Sequence, residues 1–381
     1  MNLRWIIRSL ASLAGLAGLG CTGDSPSADP PSSAWAVAIE RETGGALILK
    51  SVDGGASWDI SLRDPDPSGP LDAIDFVDAD VGWAVGNDDV FHTNDGGVTW
   101  SNQADNLDFG PLILFAVDFV DRRRGVIVGT EFPDPPTNFD GPPASFFTID
   151  GGATWERSLI VPIGIPTERR RIRLSIVCLD PSGVGISVGE GFSAWLVLTT
   201  ADFGRTWEEI ETAFPGSGVA CADGSIWAAG TDDDPSAPPR PRLSQSFDGG
   251  RTWEYRSSGI DPAVVGGLGS IAFSGDGTAC ASGALGPGGT PISLILRSSD
   301  GGSTWNSTVL PETTGGQRLR SVSCPSSTQG VAGSEGTDPS VPPSSHSLLF
   351  SLDGSRWAIA DVPDSVGDAR AVSFPLEVGL R

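Results

Sequence analysis

Ser246-Phe247-Asp248-Gly249-Gly250-Arg251-Thr252-Trp253, SFDGGRTW, sets a tight polar turn directly against a tryptophan. The octapeptide returns as SVDGGASW (51–58), TNDGGVTW (93–100), TIDGGATW (148–155), TADFGRTW (200–207) and SSDGGSTW (298–305), and once shortened as SLDGSRW (351–357). Its aspartates are Asp53, Asp95, Asp150, Asp202, Asp248, Asp300 and Asp353, spaced between 42 residues (Asp53 to Asp95) and 55 residues (Asp95 to Asp150). Such a period is the length of one four-stranded propeller blade. The turn explains itself chemically. Glycine reaches backbone angles that other residues reach only with strain, and an aspartate can accept hydrogen bonds from the turn's own amides. The indole then covers the turn. Trp58, Trp100, Trp155, Trp207, Trp253, Trp305 and Trp357, together with the seven aspartates, are therefore read as structural. They are too regular to be catalytic pairs.

The cleanest unit reads AIDFVDADVGWAVGNDDVFHTNDGGVTW (73–100). AIDF alternates as a strand, DAD turns, VGWAVG is a second strand and DVFHT a third, and DGG leads into a fourth. The first unit lacks its opening strand: it begins at AWAVAI (34–39), which aligns with GWAVG. The last segment, ARAVSFPLEVGLR (369–381), aligns with AIDFVDADVGWAV. The fold class expected is all-β: a seven-bladed β-propeller with four-stranded antiparallel blades, closed by a C-terminal strand that completes the first blade. Closure leaves only protected strand edges.

The chain has 381 residues, 39% of them apolar, enough to bury a core. Gly 51 and Pro 30 without a triplet period suit a turn-rich β chain. The formal charge is −24, and among 24 basic residues only Lys50 is a lysine. Nucleic acid and anionic membrane surfaces would be repelled, since both require neutralising Lys and Arg. Solubility is the simpler reading of the charge.

The first 21 residues read as a targeting segment. Arg4 and Arg8 precede the apolar run SLASLAGLAGLG, which ends at Cys21 and is too short to span a membrane comfortably. Ala17-Gly18-Leu19-Gly20-Cys21 resembles the bacterial lipoprotein cleavage box, with Gly18 and Leu19 departing from it, and implies lipidation of Cys21. Ordinary signal cleavage nearby is the alternative. Residues 22–33, TGDSPSADPPSS, form a polar linker. Residues 34–381 form the propeller. The protein is expected to be exported and membrane-anchored through lipid alone, a monomer on the periplasmic side or cell surface, or otherwise secreted.

Cys178, Cys221, Cys280 and Cys324 remain, with no CxxC pair and two histidines, so no metal site and no cofactor is expected. In an exported chain four cysteines suggest disulfides in one of three pairings. The repeat puts Cys178, Cys221 and Cys324 on first strands of units four, five and seven, and Cys280 on the second strand of unit six. Adjacent-blade bridges Cys178–Cys221 and Cys280–Cys324 are one reading; buried free thiols are the other.

The octapeptide resembles the Asp-box, or BNR repeat. That resemblance spans residues 34–381 and implies a β-propeller of the kind found in sialidases, xyloglucanases, sortilin-like receptors and photosystem II assembly/stability factors. The combined pattern FxDxxxGWAVGxxxxxxxTxDGGxTW, best kept in 76–100, looks most like the assembly/stability factor-like family of bacterial exported proteins. It weakens along the chain, where Trp83 aligns with Ile127, Ile186 and Cys280. The resemblance implies non-enzymatic binding to a protein or glycan in the cell envelope, helping to assemble or stabilise a membrane complex. The alternative is a glycoside hydrolase, exo-sialidase-like or glucanase-like, or a glycan-binding propeller. Sialidase chemistry needs an arginine cluster, a tyrosine and acids. The single tyrosine, Tyr255, follows a box tryptophan on an outer strand, and the Arg-Ile-Pro motif is absent. No carboxylate pair of the glucanase type stands out among 48 acids.

Arg173, Arg320 and Arg370 each sit just before a first strand, in RLSI, RSVS and RAVS, and are the candidate ligand-binding residues. If first strands line the channel, they gather at one mouth as a site for an anion or acidic peptide. The alternative is pairing with nearby acids or exposure to solvent. Relatives among the assembly factors are associated with an arginine patch. Arg122-Arg123-Arg124 and Arg169-Arg170-Arg171 read as solvated turn residues. The Pro-rich insertions 130–145, 230–242 and 333–345 all precede a third strand and emerge on one face, a second candidate for binding. TDDD lacks the spacing of a calcium loop.

Overall fold

The computed structural model describes residues 33–375 apart from 65–68, 105–111, 132–140, 164–171, 192–194, 213, 215, 233–237, 261–264, 287–291, 311–317 and 336–347. Within the described residues the strands form seven antiparallel meanders, one per octapeptide, arranged as a seven-bladed propeller. Blade 2 shows the plan: Ala73–Phe76 innermost, then Gly82–Gly86, Asp89–Thr93 and the outer Ser101–Asn102. The inner strands of blades 3 to 7 are Leu112–Phe119, Ile172–Leu179, Gly218–Ala222, Gly266–Phe273 and Arg318–Ser323. Blade 1 takes its inner strand from the far end of the chain. Val366–Ser373 pairs antiparallel with Ala34–Glu40, so the expected closure is the observed one. Blade 4 has a fifth strand that the repeat did not announce: Leu159–Val161, leaving blade 3, runs parallel to the outer strand Thr206–Glu209.

The repeated turn closes itself. Asp95 Oδ1 accepts from Thr99 N at 2.9 Å and Thr93 Oγ1 at 2.8 Å, and its Oδ2 accepts from Thr99 Oγ1 at 2.6 Å. Gly97 N in turn donates to Thr93 Oγ1 at 2.9 Å. Gly96 and Gly97 have φ of 69° and 80°, the left-handed region that excludes most side chains. The indoles cover the turn: Trp58 Nε1 donates to Gly55 O at 2.8 Å and Trp305 Nε1 to Gly302 O at 2.9 Å.

Blades are joined by a wedge. Trp83 of blade 2 is fully buried and stacks on Phe119 of blade 3, centroids 3.4 Å apart and planes 2° apart. Its Nε1 donates to Gly151 O in blade 3's turn at 3.2 Å. Trp35 stacks in the same way on Phe76, and Trp227 packs on Phe273. Cross-strand register places Val126, Ile186, Cys280 and Val331 at this position in the other blades. Val126 therefore replaces the Ile127 of the sequence alignment. The two are adjacent, and only Val126 points at the next blade's turn, at Gly204.

Where the wedge is Cys280, it forms a disulfide to Cys324, with Cα atoms 6.2 Å apart. Cys324 lies one residue beyond its inner strand, in the seat that Phe119 holds in blade 3. A second bridge, Cys178–Cys221, joins blades 4 and 5 with Cα atoms 5.6 Å apart. Elsewhere side chains clamp the inner strands together. Asp75 Oδ2 accepts from Phe119 N and Asp118 Oδ2 from Leu179 N, both at 2.8 Å. Ser373 Oγ accepts from Phe76 N, and Ser323 Oγ from Phe374 N, both at 3.2 Å. These bonds occupy amides that would otherwise line an open channel edge.

Candidate functional site

An antiparallel meander sends its first and third turns to one face and its second turns, with the links between blades, to the other. The seven Asp turns therefore share one face, here the turn face. The inner strands all start at the opposite face, the link face.

The turn-face mouth of the channel is a cavity of about 280 Å³ lined in part by Val117, Val177, Val219, Ile271, Val372 and Phe374. Of its carboxylates, Asp75 and Asp118 are held in the interblade clamps, while Asp223 is exposed.

The link-face mouth is different. In five blades one residue of the inner strand bulges out of the pairing: Phe115, Ser175, Gly269, Arg320 and Arg370. Each stands four residues before the seat that faces the preceding blade, and the same count gives Asp72 in blade 2 and Ser217 in blade 5. A bulge re-aims a side chain at a rim, so these seven positions form one ring. Arg320, Arg370 and Asp72 occupy it in three consecutive blades, 7, 1 and 2. Arg370 Nη1 donates to Asp72 Oδ1, and Arg320 acts on the same carboxylate through space. Burial pushes the Asp72 carboxyl above its ordinary value, against the pull of Arg370 and then Arg320. Two guanidinium groups thus converge on one half-buried carboxylate. Arg320 is exposed and Arg370 is half-buried.

The structure corrects the sequence reading of these arginines in two respects. All three lie inside their inner strands rather than before them. Arg173 is not at the ring position: it stands two residues earlier in blade 4, with its guanidinium 5.8 Å from the centre of Phe115 in blade 3. Lining up the arginines of RLSI and RSVS ignores the bulge at Ser175 and Arg320, which fixes the true register. A signal for the bulge was present. The final glycine of GWAVG recurs because the bulged backbone approaches it: a Cβ on Gly129 would lie 1.9 Å from Ile113 O, and on Gly283 2.1 Å from Gly267 O.

Arg122 and Arg124 are more than solvated turn residues. Arg122 Nε pairs with Asp78 Oδ2 of blade 2 at 2.6 Å, and Arg124 lies 4.2 Å over the ring of Phe203 in blade 4. They tie blade 3 to both neighbours. Arg169, Arg170 and Arg171 lie outside the described residues, as do Cys21, the linker 22–32 and the centres of the three insertions (132–140, 233–237 and 336–347). The described ends of those insertions leave the second strands, which puts them on the link face beside the arginine mouth. Tyr255 is exposed on the outer strand Glu254–Arg256 of blade 5, far from the channel. Among the described residues no group of three or more His, Cys, Asp or Glu could hold a metal ion, and no helix is long and apolar enough to cross a membrane.

No protein-family model matches the sequence, and no curated protein matches it. Solved structures do. One is described as YCF48 bound to D1 peptide, with a TM-score of 0.48, 19% identity, and coverage of 76% of this chain and 81% of that one. YCF48 from Cyanidioschyzon merolae gives 0.47 and 18%, covering 78% of this chain and 86% of that one. A protein from Lactobacillus plantarum gives 0.52 and 12%, covering 90% of this chain and 98% of that one. At such identities the likeness concerns the fold alone.

Proposed function

We propose that the protein is a non-enzymatic binding propeller of the cell envelope. In this reading an acyl chain on Cys21 anchors it, and the arginine mouth takes a carboxylate-bearing segment of another protein. The observation that carries this reading is the convergence of Arg320 and Arg370, from adjacent blades, on Asp72. Arginine presents a planar fork that matches a carboxylate with two parallel bonds. In a chain of net charge −24 a local pair of arginines is a defined target for an anionic group that the rest of the surface repels. The likeness of the octapeptide to the Asp-box, and of 76–100 to the assembly/stability factor-like proteins, supports a scaffolding role at a membrane complex. The position of Tyr255 on an outer strand favours binding over tyrosine-based glycan hydrolysis.

The test is crosslinking of the native protein in intact envelopes, then capture and mass spectrometry, in wild type and in Arg320→Ala/Arg370→Ala. One dominant protein partner, lost in the double variant while the melting temperature is kept, is the expected result. A partner retained at wild-type level by the double variant would overturn the site. Enrichment of glycan instead of protein would overturn the partner class.

A further inference from the structure

The turn face carries exposed apolar side chains at the tips of its turns. Val52 in blade 1 is 67% exposed, Val98 in blade 2 is 74% exposed and Leu352 in blade 7 is 42% exposed. Ile149 in blade 3 and Phe247 in blade 5 are exposed at the same kind of tip. Each is a residue of the repeated octapeptide. Its aspartate, glycines and tryptophan have structural work in the turn, whereas these side chains project from it. Scattered exposed apolar residues mean little on their own, and the link face exposes Trp195 and Val309; what sets the turn face apart is that Leu352, Val52 and Val98 stand on three consecutive blades, 7, 1 and 2.

A second observation says what lies opposite. The first strand of the chain, Ala34–Glu40, is the second strand of blade 1, so it begins on the turn face. Ala34 is in register with Ser51, the first residue of the blade 1 turn. The chain therefore joins the propeller beside Val52, between the turns that carry Leu352 and Val98. Only residues 22–33 separate this point from Cys21, twelve residues that reach at most about 40 Å.

We infer that the turn face lies against the membrane: Val52, Val98 and Leu352 meet the surface of a zwitterionic bilayer, and the arginine mouth points away from it. The inference rests on the acyl anchor at Cys21 proposed above. The contact is at headgroup depth, because Asp53, Asp95 and Asp353 stand in the same turns and remain hydrated and ionised. The cations around these turns are already engaged: Arg356 lies 3.8 Å from Asp353, Lys50 Nζ donates to Gly96 O, and Arg122 pairs with Asp78 and Asp80 beside the blade 2 turn. Binding at such a surface scales with apolar area and with the charge of the lipid. A chain of net charge −24 then favours zwitterionic over anionic lipid, whose surface potential repels it. The orientation leaves the link face, with its arginines and insertions, open to a partner.

The test uses the full-length acylated protein in phosphatidylcholine vesicles that carry a headgroup nitroxide lipid. An environment-sensitive fluorophore is placed by Val98→Cys, or on the opposite face by Asp88→Cys, both exposed positions. The expected result is several-fold stronger quenching at 98 than at 88, and weaker quenching at 98 when phosphatidylserine replaces part of the phosphatidylcholine. Equal quenching, or more at 88, overturns the orientation. A blue shift at 98 that follows protein density and ignores the nitroxide means that a second copy covers the face, and overturns the lipid contact. Intact mass of the same sample separates the two failures. Acylated protein without quenching at 98 refutes the face contact alone, whereas absence of acyl mass on Cys21 removes the anchor and the orientation with it.

Discussion

At Asp95 a carboxylate on the surface is held by three hydrogen bonds from within its own turn. The Thr99 hydroxyl, then the Thr99 amide, pull it from 3.8 to about 2. Asp248 and Asp300 are lowered to about 2 by the corresponding threonines, Thr252 and Thr304. A carboxyl whose value falls on folding stabilises the fold fully above its unfolded value and loses that contribution as pH falls through the folded one. These three turns are therefore at full strength above about pH 4 and weaken toward about pH 2. Asp95→Asn should lower the melting temperature at pH 5 and converge with wild type near pH 2. Calorimetry across that range checks it, and a gap that stays constant with pH would mean that the charge does nothing. The turn itself was legible because every atom of its chemistry is local. Phe203 is the exception in the repeat. It holds φ of 60° where the other full copies have glycine, and its ring receives Arg124 of the neighbouring blade, a contact that sequence distance conceals.

Between blades the unit of stability is one side chain on a second strand and its seat on the next inner strand. Trp83 on Phe119 is the best-formed example. Trp83→Ala should cost about 3–5 kcal/mol, as removal of a buried large aromatic does, and this is measurable by denaturant titration. A loss no larger than that of an exposed substitution would remove the wedge from the account. Cys280–Cys324 serves the same seam covalently. Both cysteines are buried, at 0% and 3% exposed, so reductant alone should leave the native protein oxidised. Reductant with denaturant should add the mass of two hydrogens per bridge, and Cys280→Ala/Cys324→Ala should cost about 2–4 kcal/mol. Alkylation and intact mass check the first point, unfolding the second. Strand pattern placed Trp83 on a second strand, but its stacking on Phe119 of the next blade came from the structure. What stayed hidden was register. Lining up arginine with arginine across the inner-strand bulge sets Arg173 beside Arg320. Ile127 is a slip of one residue, since FVDRRRGV (119–126) matches FVDADVGW (76–83) without a gap and puts Val126 opposite Trp83.

For the whole molecule, seven turns fixed the blade number, and the mismatch between the two ends of the chain fixed the closure. The arginine mouth was half legible: the sequence pointed to Arg320 and Arg370 beside first strands, while Arg173 falls off the ring and the convergence depended on which blades are neighbours. Blades 7 and 1 are adjacent only because Val366–Ser373 returns to pair with Ala34–Glu40. That strand also carries Arg370, and its Ser373 is clamped to blade 2. One segment therefore closes the ring and builds the candidate site. The most direct test is thermal unfolding of the chain ended after Ser365, followed by circular dichroism. A ring closed by this strand should lose its single cooperative transition, or melt far below wild type, and recover when a peptide of residues 366–381 is added. An unchanged transition in the truncated chain would contradict the closed ring and, with it, the mouth that depends on it.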